Sequence, residues 1–147
     1  MALVTIFDHC LATAAGVDIE ALREHTERAL PSCLQERVDV SAPLSALEEI
    51  EISLLSDAEI ARIHGQFMDD PTPTDVITFH HGEIVISPET AQRQRKAHGN
   101  TLQREVLLYA IHGLLHLAGH EDATAEGAAR MRVIQERLLE QLMPAQS

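Results

Sequence analysis

Apolar residues recur along the chain with two different periods, and the switches between them mark out the elements. Leu3-Val4-Thr5-Ile6-Phe7 reads as a short strand. A turn at Gly16 leads to a helix expected over about residues 18–30, which Pro31 should stop because it has no amide proton and its ring crowds the preceding turn. The order then repeats. Residues 49–55 alternate Ile50, Ile52 and Leu54 with polar neighbours, and Ser56-Asp57-Ala58-Glu59 has the form of a capping box opening a helix toward Met68. Asp69-Asp70-Pro71-Thr72-Pro73 cannot be helical and is read as a loop. Two strands follow, at about 74–79 and 83–87, joined through His80-His81-Gly82 as a hairpin. Ser87-Pro88 sets a capping hydroxyl before a proline at the first helical position, so a helix should run to His98 and end at Gly99.

Thr101 caps the next helix, which is apolar on nearly every side from Val106 to Leu117 and therefore belongs inside the domain. A last amphipathic helix is predicted over about 125–142, with Met131, Ile134, Leu138 and Leu142 along one stripe. At 147 residues with 45% hydrophobic content, the chain suits one domain spanning 1–147, of class α+β, in which a small mixed sheet is packed by about five helices. No apolar run has the length of a membrane helix and the start lacks a basic leader, so a soluble, cytoplasmic protein without membrane partners is expected. Cys10 and Cys33 form no CxxC pair and read as free thiols in a reducing compartment.

Charge narrows the partners. A formal net charge of -12 argues against broad attraction to nucleic acid, so any RNA contact must be local. The one basic island lies in residues 88–110, where Arg93, Arg95, Lys96 and Arg104 face only Glu89 and Glu105. On charge alone this is an ordinary solvated helix face; Arg93, Arg95 and Lys96 are candidate substrate-binding residues only with the family resemblance given below.

The candidate chemistry sits in the most apolar helix. His112 and His116 are four residues apart and so lie on one face, a turn above one another. Gly119 can take the left-handed conformation that ends a helix, and the chain can then fold back to bring position 122, an aspartate, to the same point. The string His112-x-x-x-His116-x-x-Gly119-x-x-Asp122 has the spacing of metzincin zinc sites, with Asp in place of their third His. His112, His116 and Asp122 would hold one zinc ion per chain and leave a fourth position for water. His120 is the alternative third ligand, although Gly119 interrupts the helical geometry it would need. A zinc protease of this layout carries Glu directly after the first His; here that position is Gly113. The catalytic group is therefore expected to be a metal-bound water with no protein base, which suits phosphodiester cleavage better than amide cleavage.

The string His112-Gly113-Leu114-Leu115-His116-Leu117-Ala118-Gly119-His120-Glu121-Asp122 resembles the signature of the YbeY family, H-G-x-L-H-L-x-G-[YH]-D-H. Ile52-Ser53-Leu54, Pro73-Thr74-Asp75-Val76-Ile77-Thr78-Phe79 and Gly82-Glu83-Ile84-Val85-Ile86-Ser87 are similar to the family's I-S-L, P-T-D-V-L-S-F and G-D-I-V-I-S segments, in the same order. The likeness covers about residues 50–142. It implies a metalloprotease-like zinc hydrolase fold and a zinc-dependent single-strand endoribonuclease. Such an enzyme acts in 3'-end maturation of 16S ribosomal RNA and in ribosome quality control. Its partners would be ribosomal RNA in the small ribosomal subunit, with ribosomal proteins or a ribosome-associated GTPase.

By position His112 and His116 would be ligands, and Asp122 stands where the family has its third His. A carboxylate still binds zinc, but it lowers the positive charge felt by bound water, so slower chemistry or another metal is implied. The family also commonly has an Arg after an aromatic residue where Phe67 is followed here by Met68; Arg62, Arg93, Arg95 or Lys96 could supply charge from another element. Asp75 is read as a residue that orients a ligand imidazole or caps a turn, and His80 and His81 as surface residues of the hairpin. The rival to an enzyme is a metal-binding assembly factor that contacts ribosomal components without cleaving them.

Overall fold

The structure, a computed structural model, describes residues 2–69 and 74–145. Four strands, β1 (Leu3–Asp8), β2 (Glu49–Leu54), β3 (Val76–Phe79) and β4 (Glu83–Ile86), form one sheet in the order β1-β2-β4-β3. β1 pairs with β2 and β2 with β4 in parallel, while β3 runs antiparallel to β4 through the predicted hairpin. The central strands β2 and β4 bury Ile50, Ile52, Leu54, Ile84 and Ile86 completely on one face, as expected of strands flanked on both sides.

Five helices are present: α1 (Ile19–Gln35), α2 (Asp57–Met68), α3 (Pro88–His98), α4 (Leu102–Leu117) and α5 (Ala125–Leu142). Their starts fall where the sequence places caps. The side chains of Asp18, Ser56, Ser87, Thr101 and Thr124 each accept the backbone N–H three residues on. α4 is the axis of the molecule: it packs against α1, α3 and α5 and against β3 and β4, and Val106, Leu107, Ala110, Ile111, Leu114, Leu115 and Leu117 are wholly buried. Strand alternation puts Ile77 and Val85 on the opposite face of the sheet, where Ile60 of α2 covers them in a second, smaller cluster.

Two expectations need correction. Pro31 does not stop α1, which runs four residues further to Gln35. Cys33 is fully buried and Leu34 packs against the core in that extra turn, which offsets a missing hydrogen bond that costs about 3 kcal/mol in an exposed helix. The strand predicted from residue 74 begins only at Val76; just before it the Asp75 carboxylate accepts the Val76 amide at 2.8 Å and the Asp75 carbonyl accepts the Ser87 amide at 3.0 Å. Of the predicted loop at Asp69 to Pro73, only Asp69 is described, in the left-handed conformation at the end of α2; residues 70–73 lie outside the described residues. Cys10 and Cys33 are both free thiols, and no helix among the described residues is long and apolar enough to cross a membrane.

Candidate metal centre

The site is built by the way α4 ends. Gly119 adopts φ +98°, and the chain closes with Gly119 N–H donating to the His116 carbonyl and His120 N–H to the Leu115 carbonyl, both at 3.0 Å. This paired closure is the Schellman arrangement, and it turns the chain back over the last helical turn. A Cβ at Gly119 would also lie 3.1 Å from Val38 Cβ, so both the backbone angle and the space favour glycine. The start of α5 holds the returning loop down, because Gly127 comes so close to the Glu121 carbonyl that a Cβ would sit 2.2 Å from it.

The result brings His112, His116 and Asp122 together: one ligand atom from each lies within 4.8 Å of the others. The two Nε2 atoms are 3.1 Å apart, and Asp122 Oδ2 is 3.4 Å from His112 Nε2 and 3.7 Å from His116 Nε2. Two nitrogens sharing a tetrahedral zinc at about 2.05 Å would be about 3.3 Å apart, so the donors stand at the separation one ion requires. The donor chemistry points the same way. His116 Nδ1 lies 2.9 Å from the His120 carbonyl, which can only accept, so the ring proton sits on Nδ1 and the Nε2 lone pair faces the cluster. His112 Nδ1 lies 2.9 Å from Gln135 Oε1. Two lone pairs aimed at each other across 3.1 Å repel unless a proton or a cation lies between them. Burial, followed by the neighbouring His112, lowers the pKa of His116, which favours the neutral imidazole a metal needs. The rings are about four-fifths buried, whereas Asp122 is half exposed and leaves the cluster open to solvent on its side.

His120, the alternative ligand, points elsewhere. Its ring is buried and Nε2 donates to the Glu36 carbonyl at 2.6 Å, pinning the loop to the end of α1, and only its backbone carbonyl meets the cluster, through His116. Asp75 does not orient the rings as expected: its side chain accepts from Thr74 and the Val76 amide at the start of β3, and the rings are held by Gln135 and the His120 carbonyl. Sequence reading missed Gln135, which is 23 residues from His112 and carries no local signal on α5.

Gly113 has a packing role. A Cβ there would lie 2.8 Å from two carbons of Ile84, so the missing side chain lets α4 rest on β4. The basic island is largely committed within the fold. The Arg93 guanidinium pairs with Asp57 at 2.7 Å, and Arg95 bonds Gln92 and the Asn100 carbonyl. Arg104 is buried against Asn100 and Glu140, while Lys96 is exposed. Arg62 pairs with Glu59 on its own helix; His81 stacks on Phe79 and approaches Glu83, as befits a surface hairpin. Gln135 also lines a pocket of about 420 Å³, together with His98, Arg104, Arg132 and Glu136.

A family model described as Endoribonuclease YbeY matches residues 11–143. Proteins named Endoribonuclease YbeY are similar: that of Heliobacterium modesticaldum is 34% identical over 131 residues, covering 74% of this chain and 75% of its own. That of a Synechococcus strain is 35% identical over 122 residues, covering 72% and 76%. That of Acidothermus cellulolyticus is 29% identical over 150 residues, covering 88% and 87%. A solution structure of a Thermotoga maritima protein superposes with a TM-score of 0.61 over 95% of this chain and 88% of that one, at 24% identity, and shares the fold.

Proposed function

The chain belongs to the YbeY endoribonuclease family, and on that premise we propose that it is a metal-dependent endoribonuclease that cleaves single-stranded segments of small-subunit ribosomal RNA in the cytoplasm, during 3'-end maturation and ribosome quality control. The single observation that carries the metal dependence is the convergence of His112 Nε2, His116 Nε2 and Asp122 Oδ2 at separations that suit one ion. These three side chains would hold one zinc per chain. Zinc held there would supply Lewis acidity, the chemistry that makes water a better nucleophile near neutral pH.

The rest of the chemistry is the chain's own. The His120 carbonyl holds the His116 proton on Nδ1 and so keeps Nε2 available. Buried rings limit the directions from which water can compete, and the half-exposed Asp122 marks the side from which a strand can approach. No carboxylate follows His112, so proton removal falls to solvent or to a substrate phosphate oxygen, a division of labour that fits phosphodiesters and not amides. The aspartate ligand keeps the net charge at the site low, which makes for slow turnover. With a net charge of -12, capture of RNA by the whole surface is weak, and a ribosomal protein or a ribosome-associated GTPase would bring the enzyme to its substrate.

Cleavage of an unstructured RNA oligomer tests the proposal. The wild type should cut slowly, lose the activity to a chelator and regain it with zinc, and His116→Ala should not cut; equal rates for the two proteins would overturn it. A second reading, a metal-holding assembly factor that binds without cutting, is favoured by one feature: Met68 stands exposed at the family's usual Arg position. It predicts zinc and small-subunit binding by a wild type that leaves RNA intact.

A further inference from the structure

Two imidazoles can serve one cation through Nε2 only if each keeps its own proton on Nδ1. For His116 the backbone imposes this, as a carbonyl cannot donate. For His112 no backbone carbonyl among the described residues does so, and its Nδ1 meets instead the side-chain amide of Gln135 at 2.9 Å. Resting on the metal-site reading above, we infer that Gln135 is the positioning residue of the site: its Oε1 accepts the Nδ1 proton of His112 and turns that ring's Nε2 toward His116 and Asp122.

The fold gives Gln135 the rigidity the task needs. It is flanked on α5 by Ile134 and Leu138, both buried in the main core, and α5 packs along α4, the helix that carries His112. The amide is therefore delivered by one packed helix to a ring on another. Its reach also explains why glutamine suits the position: an amide oxygen accepts the proton without adding a second negative charge beside Asp122. Were the amide reversed, its NH₂ would donate to Nδ1, the ring proton would move to Nε2, and that nitrogen could no longer bind a cation. Only in the first orientation do both Nε2 lone pairs, 3.1 Å apart, face one cation. Gln135 also lines the pocket of about 420 Å³.

The full-length protein tests this by competition for zinc with a chromogenic chelator, alongside ¹H–¹⁵N spectra of the histidine rings. Gln135→Leu, similar in size but unable to accept, should weaken zinc about 10- to 100-fold, the range seen when the outer partner of a ligand histidine is lost. Gln135→Glu, which restores an acceptor, should bring the affinity back to the wild-type value or better. In the zinc-loaded wild type, His112 should show a slowly exchanging Nδ1 proton that becomes fast in Gln135→Leu, a change that a purely structural role for Gln135 would not produce. Glu136→Gln, altering the same pocket without touching His112, should keep wild-type affinity. A folded Gln135→Leu protein binding zinc within about twofold of wild type would overturn the inference. So would a wild-type His112 ring protonated on Nε2, a measurement that needs no variant to fold. A wild type that binds no zinc at all would instead overturn the metal-site reading, and the two failures are thereby told apart.

Discussion

At the scale of single residues, the loop after α4 makes two side chains compete for one role, and geometry assigns them different ones. Asp122 faces the imidazoles; the His120 ring faces the end of α1. Asp122→Ala should therefore weaken zinc binding strongly with little loss of thermal stability, whereas His120→Ala should lower stability and leave a folded protein that still binds the metal. Titration of both variants with zinc, paired with urea melts, checks this; the reverse pattern would make His120 the ligand. Gly113 is legible twice over. Its identity in the sequence argues against a peptidase, and its packing against Ile84 supplies a separate reason for glycine. Gly113→Ala should cost about 1–3 kcal/mol of stability by overpacking, measured by chemical denaturation; an unchanged midpoint would show that Ile84 yields freely.

Elements were the most legible part of the sequence, because their signals are local. The Ser56, Ser87 and Thr101 caps and the Gly99 terminus all stand where side-chain chemistry places them. Pro31 misled because the preference against proline is local while burial of Cys33 in the turn beyond is tertiary. The starts of α2 and α3 are joined by a contact that no local rule shows. Asp57 accepts from Ser87 Oγ, Thr90 Oγ1 and Arg93, and the Asp57 amide donates to Glu89 at 2.8 Å. Burial pushes the Asp57 carboxyl up, but the hydrogen bonds from Arg93, Ser87 and Thr90 outweigh it and hold the group below its ordinary value of 3.8. A carboxylate depressed in the folded state contributes stability above its unfolded value and loses it as pH falls through the folded one. Asp57→Asn should thus melt at a lower temperature than wild type at neutral pH, and the gap should narrow once pH drops below about 3.8. A gap independent of pH would mean that the charge of Asp57 contributes nothing.

For the whole molecule, the α+β class and the mixed sheet followed from the alternation of strand and helix periods, but the strand order β1-β2-β4-β3 did not, since pairing across the sheet leaves no mark within each strand. The candidate site divides in the same way. His112, His116 and Asp122 share one short stretch of chain and could be read from spacing and a helix-ending glycine. Gln135 and the Glu36 carbonyl reach the region from other helices and became visible only with the fold. The basic island was a candidate RNA-binding face only through the family resemblance, and Arg93 and Arg104 serve the protein's own carboxylates.

The proposed function requires one cation held by α4 and the loop that follows it. Elemental analysis of the purified wild type beside the His112→Ala, His116→Ala double variant measures that directly. About one zinc per wild-type chain and almost none in the double variant is the predicted result; equal metal content in the two proteins would contradict it.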